Sequence, residues 1–269
     1  MLRTMTWNIR TGGQDRGGPD RLDRVVRVVT GARPDVLALQ ELRGFAAGDR
    51  LRRLAGEVGM RPYLARAWFG QPVAVLVRPP WRVELAAPVR RPFHHGAQRV
   101  RVATTSGPLT VLSAHLHPYS GTRRLWEAGW LIGAVRRAAG PLALLGGDLN
   151  TLDPWTAHQD RVARLPVAYR RRHLRRHGRI ETRAVARLDR AGLVDLWRAT
   201  AAQAGEEDGL TAPTEGVGAA EFSGMRLDYL FGSAPVAALT RSCRVLRGGE
   251  VERASDHRPL LAEIDLHPR

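Results

Sequence analysis

The sequence has 269 residues, 43% of them hydrophobic, and a formal net charge of +16, because its 42 basic residues, all arginine, outnumber 26 acidic ones. This length and composition allow a sizeable core, and without a shift in composition that marks a linker we expect one domain over residues 1–269. The single cysteine, Cys243, excludes an internal disulfide and a metal site built from several cysteines. No long apolar span or signal-like segment is visible, so we expect a soluble, cytoplasmic protein without a membrane span.

The first half of the chain predicts strands and helices that alternate and then become rich in strands. Apolar runs too short for a helix indicate strands, and apolar residues at helical spacing that stop at Gly or Pro indicate helices. In chain order the predicted elements are a strand at 2–9, a Gly-rich loop at 12–19, a helix at 22–31, a strand at 35–41, a helix at 49–58, strands at 63–68, 73–77, 82–86, 99–105 and 109–115, a helix at 122–138 and a strand at 142–145. The apolar residues predicted to face inward from the helix at 122–138 include Trp126.

The second half predicts helices and loops before it returns to strands. Residues 154–191 are unusually basic, and six arginines lie between positions 170 and 179. A new element begins at Leu193, and the stretch 204–224, rich in Gly, Ala, Glu and Thr, predicts a long loop. Strands are predicted at 226–231, 244–246 and 257–266.

Polar residues recur where the apolar strands end. Asp148 and Asn150 follow the apolar run 142–145. The two glycines between this run and Asp148 are predicted to turn the backbone sharply. Taken singly, each such residue has an ordinary explanation, such as a solvated strand face or a Ser-Asp turn. Together they indicate a ligand-binding edge of a sheet. The other members of this set are Asn8, Glu41, His115, Asp228, Asp256 and His257.

These motifs resemble the endonuclease/exonuclease/phosphatase superfamily, which includes deoxyribonuclease-like enzymes, AP endonucleases, sphingomyelinases and inositol polyphosphate phosphatases. The resemblance implies an α/β (α+β) fold, a four-layered sandwich in which two mainly antiparallel β-sheets pack face to face with helices outside. It also implies metal-dependent hydrolysis of phosphate esters. The motifs occur in the family's order: Trp7-Asn8, Leu39-Gln40-Glu41, His115-Leu116, Gly147-Asp148-Leu149-Asn150, Arg226-Leu227-Asp228-Tyr229 and Ser255-Asp256-His257.

The resemblance assigns the binding of a metal ion and of the phosphate group to five residues. Glu41 would bind a divalent cation, Mg²⁺ or Mn²⁺, through its hard carboxylate oxygens. Asn8 would help to place the metal or the phosphate, and Asp256 would be a further metal ligand. Asn150 would donate a hydrogen bond to a phosphate oxygen, and Arg10 would contact the substrate.

The resemblance assigns catalysis to two histidines, two aspartates and Asn150. Asp148 would orient or deprotonate the attacking water. His257 would contact the phosphate and transfer a proton, while Asp228 would fix its tautomer and favour the imidazolium. His115 would protonate a leaving oxygen or stabilise the pentavalent state. Which histidine is the acid and which the base stays open.

Three positions favour the deoxyribonuclease-like pattern over that of AP endonucleases. Arg10 stands where AP endonucleases typically carry an aspartate, and Met225 stands where they tend to carry a tryptophan. His115 stands where they carry a tyrosine. An aromatic pocket for an abasic sugar is therefore not expected.

The charge of the chain favours DNA as the substrate, because arginine binds phosphate bidentately. A merely basic, solvated surface explains the same charge equally well. The alternatives are a phosphatase or phosphodiesterase of the same superfamily that acts on a small molecule or lipid, and an inactive nucleic-acid-binding module. No obligate protein partner is inferred. The candidate nucleic-acid contacts are Arg170, Arg171, Arg172, Arg175, Arg176 and Arg179.

Overall fold

Two six-stranded β-sheets form the centre of the computed structural model, which describes residues 1–204, 209–212, 221–222 and 224–269. Sheet one contains, in spatial order, β11 (Thr240–Val245), β12 (Leu260–Ile264), β1 (Leu2–Asn8), β2 (Val36–Gln40), β4 (Val73–Val77) and β3 (Arg61–Ala65). Sheet two contains β5 (Val83–Pro88), β6 (Ala97–Val102), β7 (Leu109–His115), β8 (Leu142–Asp148), β10 (Asp228–Ser233) and β9 (Leu193–Asp195). The pairs β1–β2 and β7–β8 are parallel, and the other neighbouring pairs are antiparallel.

Helices cover the outer face of each sheet, so the layers run helix, sheet, sheet, helix. Side chains alternate along each strand, so Leu144 of β8 packs between the sheets while Leu145 packs under the outer helices. Burying such a leucine contributes roughly 1.5–3 kcal/mol. The predicted four-layered sandwich is therefore confirmed. The helices are α1 (Leu22–Ala32), α2 (Arg50–Glu57), α3 (Gly121–Arg136), α4 (Gln159–Arg164), α5 (Val167–Arg170), α6 (Arg183–Arg190), α7 (Leu196–Ala204), α8 (Ala234–Ala238) and α9 (Val251–Ala254).

The two glycines before Asp148 do not turn the chain as predicted, because β8 continues through them. They are glycines because of close packing. A Cβ at Gly147 would lie 1.9 Å from the carbonyl oxygen of Ala114 on β7. The turn comes two residues after Asp148, at Asn150, whose φ is 47°.

The inward face of α3 also differs from the prediction. Trp126, which the helical pattern places inward, is 53% exposed, while Arg124 and Glu127 are buried. Glu127 accepts hydrogen bonds from the backbone N–H groups of His94 (2.9 Å) and His117 (2.7 Å). Backbone groups that need partners therefore decide which side chains of this helix face inward.

Several predicted boundaries shift by a few residues. The segment at Leu193 is a short strand followed directly by α7, and the strand predicted at 244–246 is the longer edge strand β11. Much of the predicted loop 204–224 lies outside the described residues. Among the described residues, no helix combines the length and the apolar character needed to cross a bilayer.

Candidate active site

Asp148 lies at the end of β8, and the strands on both sides bring polar residues to it. The parallel pairing with β7 places His115 opposite Asp148, and the antiparallel pairing with β10 places Asp228 opposite it. Because one face of each strand must stay in the core, this register is strongly specified. Three of the predicted site residues therefore meet at one edge of sheet two.

Asn8, at the end of β1 in the opposite sheet, joins this group across the sandwich. Its Nδ2 donates to Oδ2 of Asp148 at 3.0 Å and to Oε1 of Glu41 at 3.1 Å. The sheets approach closely here because Gly146 has no side chain. A Cβ at that position would lie 3.1 Å from Cβ of Thr6. The glycine thus allows the two sheets to contribute to one site.

Glu41 follows β2 in the left-handed region, with φ of 59°, and its carboxylate is held by three donors. Besides Asn8, the backbone N–H of Thr11 (2.9 Å) and Nε2 of Gln71 (2.8 Å) donate to it. Burial alone would raise the pKa of Glu41, but the hydrogen bonds from Thr11 and Asn8 and the charge of His257 lower it below its usual value. Glu41 is therefore an anion near neutral pH.

Asp256 lies beside this carboxylate, and Arg10 bridges it to Asp15. The guanidinium of Arg10 is 3.1 Å from Asp256 and 3.0 Å from Asp15. Burial raises the pKa of Asp256 to about 6, and the charge of Glu41 adds to this rise while that of His257 opposes it. Two carboxylates that oppose each other's ionisation form a set of hard oxygen donors suited to a divalent cation. The residues present therefore fit the metal that the resemblance implies.

His257 lies between two aspartates. Its Nδ1 is 2.7 Å from Oδ2 of Asp228, and its Nε2 is 3.8 Å from Oδ2 of Asp148. Burial would lower the pKa of His257, but the charges of Asp228 and Asp148 raise it well above its usual value. The pair therefore presents an imidazolium with Nε2 facing the centre of the site.

The same three residues are a second candidate for a cation site. Ligand atoms of Asp148, Asp228 and His257 lie within 4.8 Å of one another. However, the short hydrogen bond to Asp228 occupies Nδ1, and a protonated His257 already balances much of the aspartate charge. We therefore favour the neighbourhood of Glu41 for a metal ion.

His115 and Asn150 complete the group around Asp148. Nδ2 of Asn150 donates to the carbonyl oxygen of Leu116 and lies 3.0 Å from Nε2 of His115. A carbonyl oxygen only accepts, so the amide orientation is fixed and Nε2 of His115 is an acceptor. The same Nε2 lies 3.4 Å from Oδ2 of Asp148. Burial raises the pKa of Asp148, and the charge of His257 opposes that rise.

Two side chains that received no role from the sequence join the first strand to the last part of the chain. Nε1 of Trp7 donates to the carbonyl oxygen of His257 at 2.8 Å. Oγ of Ser255 donates to the carbonyl oxygen of Asn8 at 2.7 Å. Both residues belong to the quoted motifs. The sequence therefore identified the region through the adjacent residues Asn8, Asp256 and His257 without assigning a role to Trp7 or Ser255.

Two other supporting residues lie outside every motif. Oγ1 of Thr211 accepts from the backbone N–H of Asp228 at 3.1 Å, and Gln71 holds Glu41 as described above. Gln71 lies two residues before β4, so its polar character at a strand end was an available signal. Thr211 carried no comparable signal.

The basic segment divides into two groups of arginines. Arg170 donates to carbonyl oxygens of its own segment, and Arg172 pairs with Glu221 at 2.6 Å. The other four line a cavity of about 600 Å³ at the start of α3, and no carboxylate of the described residues pairs with them. These four are Arg171, Arg175, Arg176 and Arg179.

Tyr119 connects the arginine cavity with a second groove. It lines this cavity and also a neighbouring groove of about 440 Å³. That groove contains Gln71, which binds Glu41, and His95, which stacks on His115. The arginine cavity and a groove whose lining contacts Glu41 and His115 therefore share Tyr119.

Solved structures with the same fold come from animals and bacteria. Truncated TDP2 of Caenorhabditis elegans is 22% identical with a TM-score of 0.66 and covers 97% of this chain and 96% of its own. TDP2 of D. rerio complexed with single strand DNA product is 17% identical with a TM-score of 0.69 and covers 97% of each chain. An endonuclease/exonuclease/phosphatase from Bacteroides vulgatus is 15% identical with a TM-score of 0.72 and covers 100% of this chain and 99% of its own.

The family is established by sequence. No curated protein matches the chain. The profile of the Endonuclease/Exonuclease/phosphatase family, however, matches residues 5–257, which include all six motifs. The chain therefore belongs to the endonuclease/exonuclease/phosphatase family of metal-dependent hydrolases that act on phosphate esters.

Proposed function

We propose that the protein is a divalent-metal-dependent nuclease that hydrolyses phosphodiester bonds of DNA by attack of an activated water. One observation carries this proposal. The carboxylate of Asp148 lies 3.4 Å from His115 and 3.8 Å from His257, and Asn8 ties it to Glu41. A base, two imidazoles and an anionic oxygen ligand thus surround one point where a phosphate can bind.

The residues of the chain divide the work of hydrolysis. Asp148 orients the water and accepts its proton, which suits a carboxylate whose pKa burial raises. His257, held by Asp228, donates to a phosphoryl oxygen, and Nδ2 of Asn150 donates to another in place of its hydrogen bond to His115. As the water oxygen bonds to phosphorus, the bond to the leaving oxygen breaks. Either His257 supplies the proton to that oxygen, or His115 does so after its Nε2 has taken the water proton from Asp148, 3.4 Å away.

A metal ion would be held by Glu41 and Asp256, with Asn8 beside them. When bound, Mg²⁺ or Mn²⁺ would neutralise phosphoryl charge that otherwise repels the nucleophile. The carboxylates of Glu41 and Asp256 would then no longer oppose each other. Arg10 forms ion pairs with Asp15 and Asp256. It would contact the substrate beside the metal ion.

The four arginines of the cavity beside α3 support a nucleic-acid substrate. A polynucleotide carries a series of phosphates. One bound at the catalytic groups would extend past Tyr119, which lines both the groove and the cavity, to the four arginines. Arginine is suited to this contact because its planar fork matches phosphate oxygens. A small phosphate ester would leave the cavity unused.

One observation favours the alternative, a phosphatase or phosphodiesterase that acts on a lipid or small molecule. A groove of about 900 Å³ next to His95 carries the side chains of Trp68 and Phe69, which are 76% and 77% exposed. Such a surface also suits an acyl chain. We place DNA first because three arginines, Arg66, Arg90 and Arg91, line the same groove.

We also infer that residues 1–269 form one domain. Leu2 and Leu266, near the two ends of the chain, pack in the same apolar core between the sheets. A single cooperative thermal transition would support this inference, and two separate transitions would contradict it.

Parallel assays separate the proposed functions. Supercoiled plasmid, a phospholipid phosphodiester and a generic phosphomonoester are offered with Mg²⁺, with Mn²⁺ and with chelator. Nicking that requires the metal supports the nuclease, and turnover of the lipid or monoester alone supports the alternative. Tight DNA binding without turnover of any substrate would indicate an inactive binding module.

A further inference from the structure

The ring of His115 lies flat against a second histidine that belongs to none of the motifs. The rings of His95 and His115 stack with centroids 3.8 Å apart and an interplanar angle of 1°. His95 is 6% exposed and His115 is 2% exposed. A parallel ring on one face removes the freedom of His115 to tilt in that direction.

His95 is itself fixed by its neighbours. The backbone N–H of Gln71 donates to its Nδ1 at 2.9 Å, and an imidazolium at this position would direct a second N–H at the same donor. The ring is therefore neutral. Gly70 makes room for it, because a Cβ at Gly70 would lie 2.4 Å from Nδ1 and 2.8 Å from Cε1 of His95.

The supports of His95 also connect it to the candidate metal site. Gln71, whose backbone holds His95, donates its side-chain amide to Glu41 at 2.8 Å. From the other side, Glu127 binds the backbone N–H groups of His94 and His117, which flank the stacked pair in sequence. One rigid unit thus relates the plane of His115 to the position of Glu41.

We infer that His95 is a positioning residue for the proposed hydrolysis: its neutral ring holds His115 in the plane and tautomer in which Nε2 faces Asp148 and Asn150. This inference rests on the proposed function of His115. His95 need not touch the substrate. Its contribution is to hold Nε2 of His115 where it can exchange a proton with Asp148 and the reacting phosphate, as residues behind metal ligands hold those ligands.

Three substitutions separate the stack from the hydrogen bond. His95→Leu removes both. His95→Phe keeps a flat ring but has no Nδ1 acceptor. Gly70→Ala adds a Cβ that would force the ring of His95 out of its position. His158→Phe is the matched control, since His158 is also a buried histidine and its hydrogen bond is to Asp153. All variants are compared by thermal unfolding, by kcat and KM, and by ¹⁵N NMR of the histidine rings.

We expect His95→Leu to lower kcat about 10–100-fold with little change in KM, the range typical of residues that orient a functional group. His95→Phe should recover part of that loss, and His158→Phe should lower Tm without a comparable loss of kcat. The NMR spectrum of His115 should show Nε2 as the acceptor in the wild type and a mixture of tautomers in His95→Leu. A kcat of His95→Leu within twofold of the wild type, or an unchanged tautomer of His115, would overturn the inference.

The NMR measurement also distinguishes this inference from the proposed function. If the wild type hydrolyses no phosphate ester, the proposed function fails. The tautomer of His115 in the wild type and in His95→Leu still decides whether His95 positions it.

Discussion

The Nδ1 atom of His257 and the Oδ2 atom of Asp228 are 2.7 Å apart, and both side chains are buried at the edge of sheet two. Thr211 fixes the backbone of Asp228, and Trp7 fixes the carbonyl of His257. The hydrogen bond therefore joins two groups that are each held separately. It leaves only Nε2 of His257 available to a substrate.

Removing the charge of Asp228 tests this pair. In Asp228→Asn we expect kcat to fall by about 10²–10⁴, because His257 loses the anion that favours its imidazolium, while KM changes much less. Steady-state kinetics of the nicking of supercoiled plasmid provides the measurement. Asp265→Asn, which removes an equal charge from a surface pair with Arg241, is the control and should keep full activity. A kcat of Asp228→Asn within threefold of the wild type would contradict the assignment.

Removing the charge of Glu41 tests the metal site. Glu41→Gln keeps the shape of the side chain but loses the anionic ligand, so the Mg²⁺ concentration for half-maximal activity should rise about 10–100-fold. Titration of activity against Mg²⁺ checks this, together with Mn²⁺ binding by calorimetry. Glu57→Gln, on the surface of α2, should leave both unchanged. Equal metal requirements in Glu41→Gln and the wild type would exclude Glu41 as a ligand.

Reversing two charges of the arginine cavity tests the proposed DNA contact. Arg175→Glu/Arg176→Glu should weaken DNA binding and reduce the slope of log Kd against log salt concentration by about two, because each arginine would neutralise one phosphate. Arg61→Glu/Arg244→Glu makes the same charge change at exposed positions of the two edge strands of sheet one. If both double variants change the slope equally, the effect is one of net charge and the cavity is not the contact surface.

The approach of the two sheets at Gly146 predicts a coupled loss of stability and activity. A Cβ there would meet Thr6 and Leu230 at 3.1 Å, so Gly146→Ala should lower the free energy of unfolding by about 1–3 kcal/mol. It should also lower kcat, because Asn8 moves away from Asp148. Urea unfolding and kinetics measure the two effects.

Gly31→Ala is the matched control for this substitution. Gly31 lies in α1 with nothing within 4 Å of its added Cβ, so alanine there should raise stability by about 0.5–1 kcal/mol and leave kcat unchanged. A Gly146→Ala protein as stable and active as the wild type would show that the sheets do not need this close approach.

Glu127 predicts a pH dependence of stability. Burial raises its pKa to about 7, although the N–H donors of His94 and His117 oppose the rise. The folded protein therefore binds one more proton than the unfolded chain between about pH 4.5 and 7, and the associated stability is lost as the pH rises through 7. We subtract the unfolding free energy of Glu127→Gln from that of the wild type at each pH. This difference should be roughly 1–3 kcal/mol smaller at pH 8 than at pH 5. A difference that grows with pH would contradict this sign.

Short-range patterns in the sequence predicted most of the strands and the members of the candidate site, and the family resemblance implied the four layers. Apolar runs identify buried strands without any knowledge of what packs on them. The polar residues at the ends of these strands belong to recognisable motifs. The roles assigned to Glu41, Asp148 and His257 stay predictions until they are tested. Their convergence around Asn8 is what the structure adds.

Other features were not predictable because they depend on contacts between distant segments. The glycines before Asp148 predict a turn that does not form there, since a sequence does not distinguish a glycine needed for its φ from one needed for close packing. His95 stacks on His115 only because Gly70 and Gln71 bring another loop against it. The predicted inward side of α3 is wrong at Trp126 because Glu127 binds backbone groups of two loops.

The most direct test of the account is the position of Mn²⁺ located by anomalous scattering in crystals of the protein. We predict one strong peak at a coordination distance of roughly 2.0–2.5 Å from a carboxylate oxygen of Glu41, with Asp256 or Asn8 beside it, and no such peak in Glu41→Gln. A peak bound by Asp148, Asp228 and His257 with none at Glu41, or no peak at either place, would contradict the account.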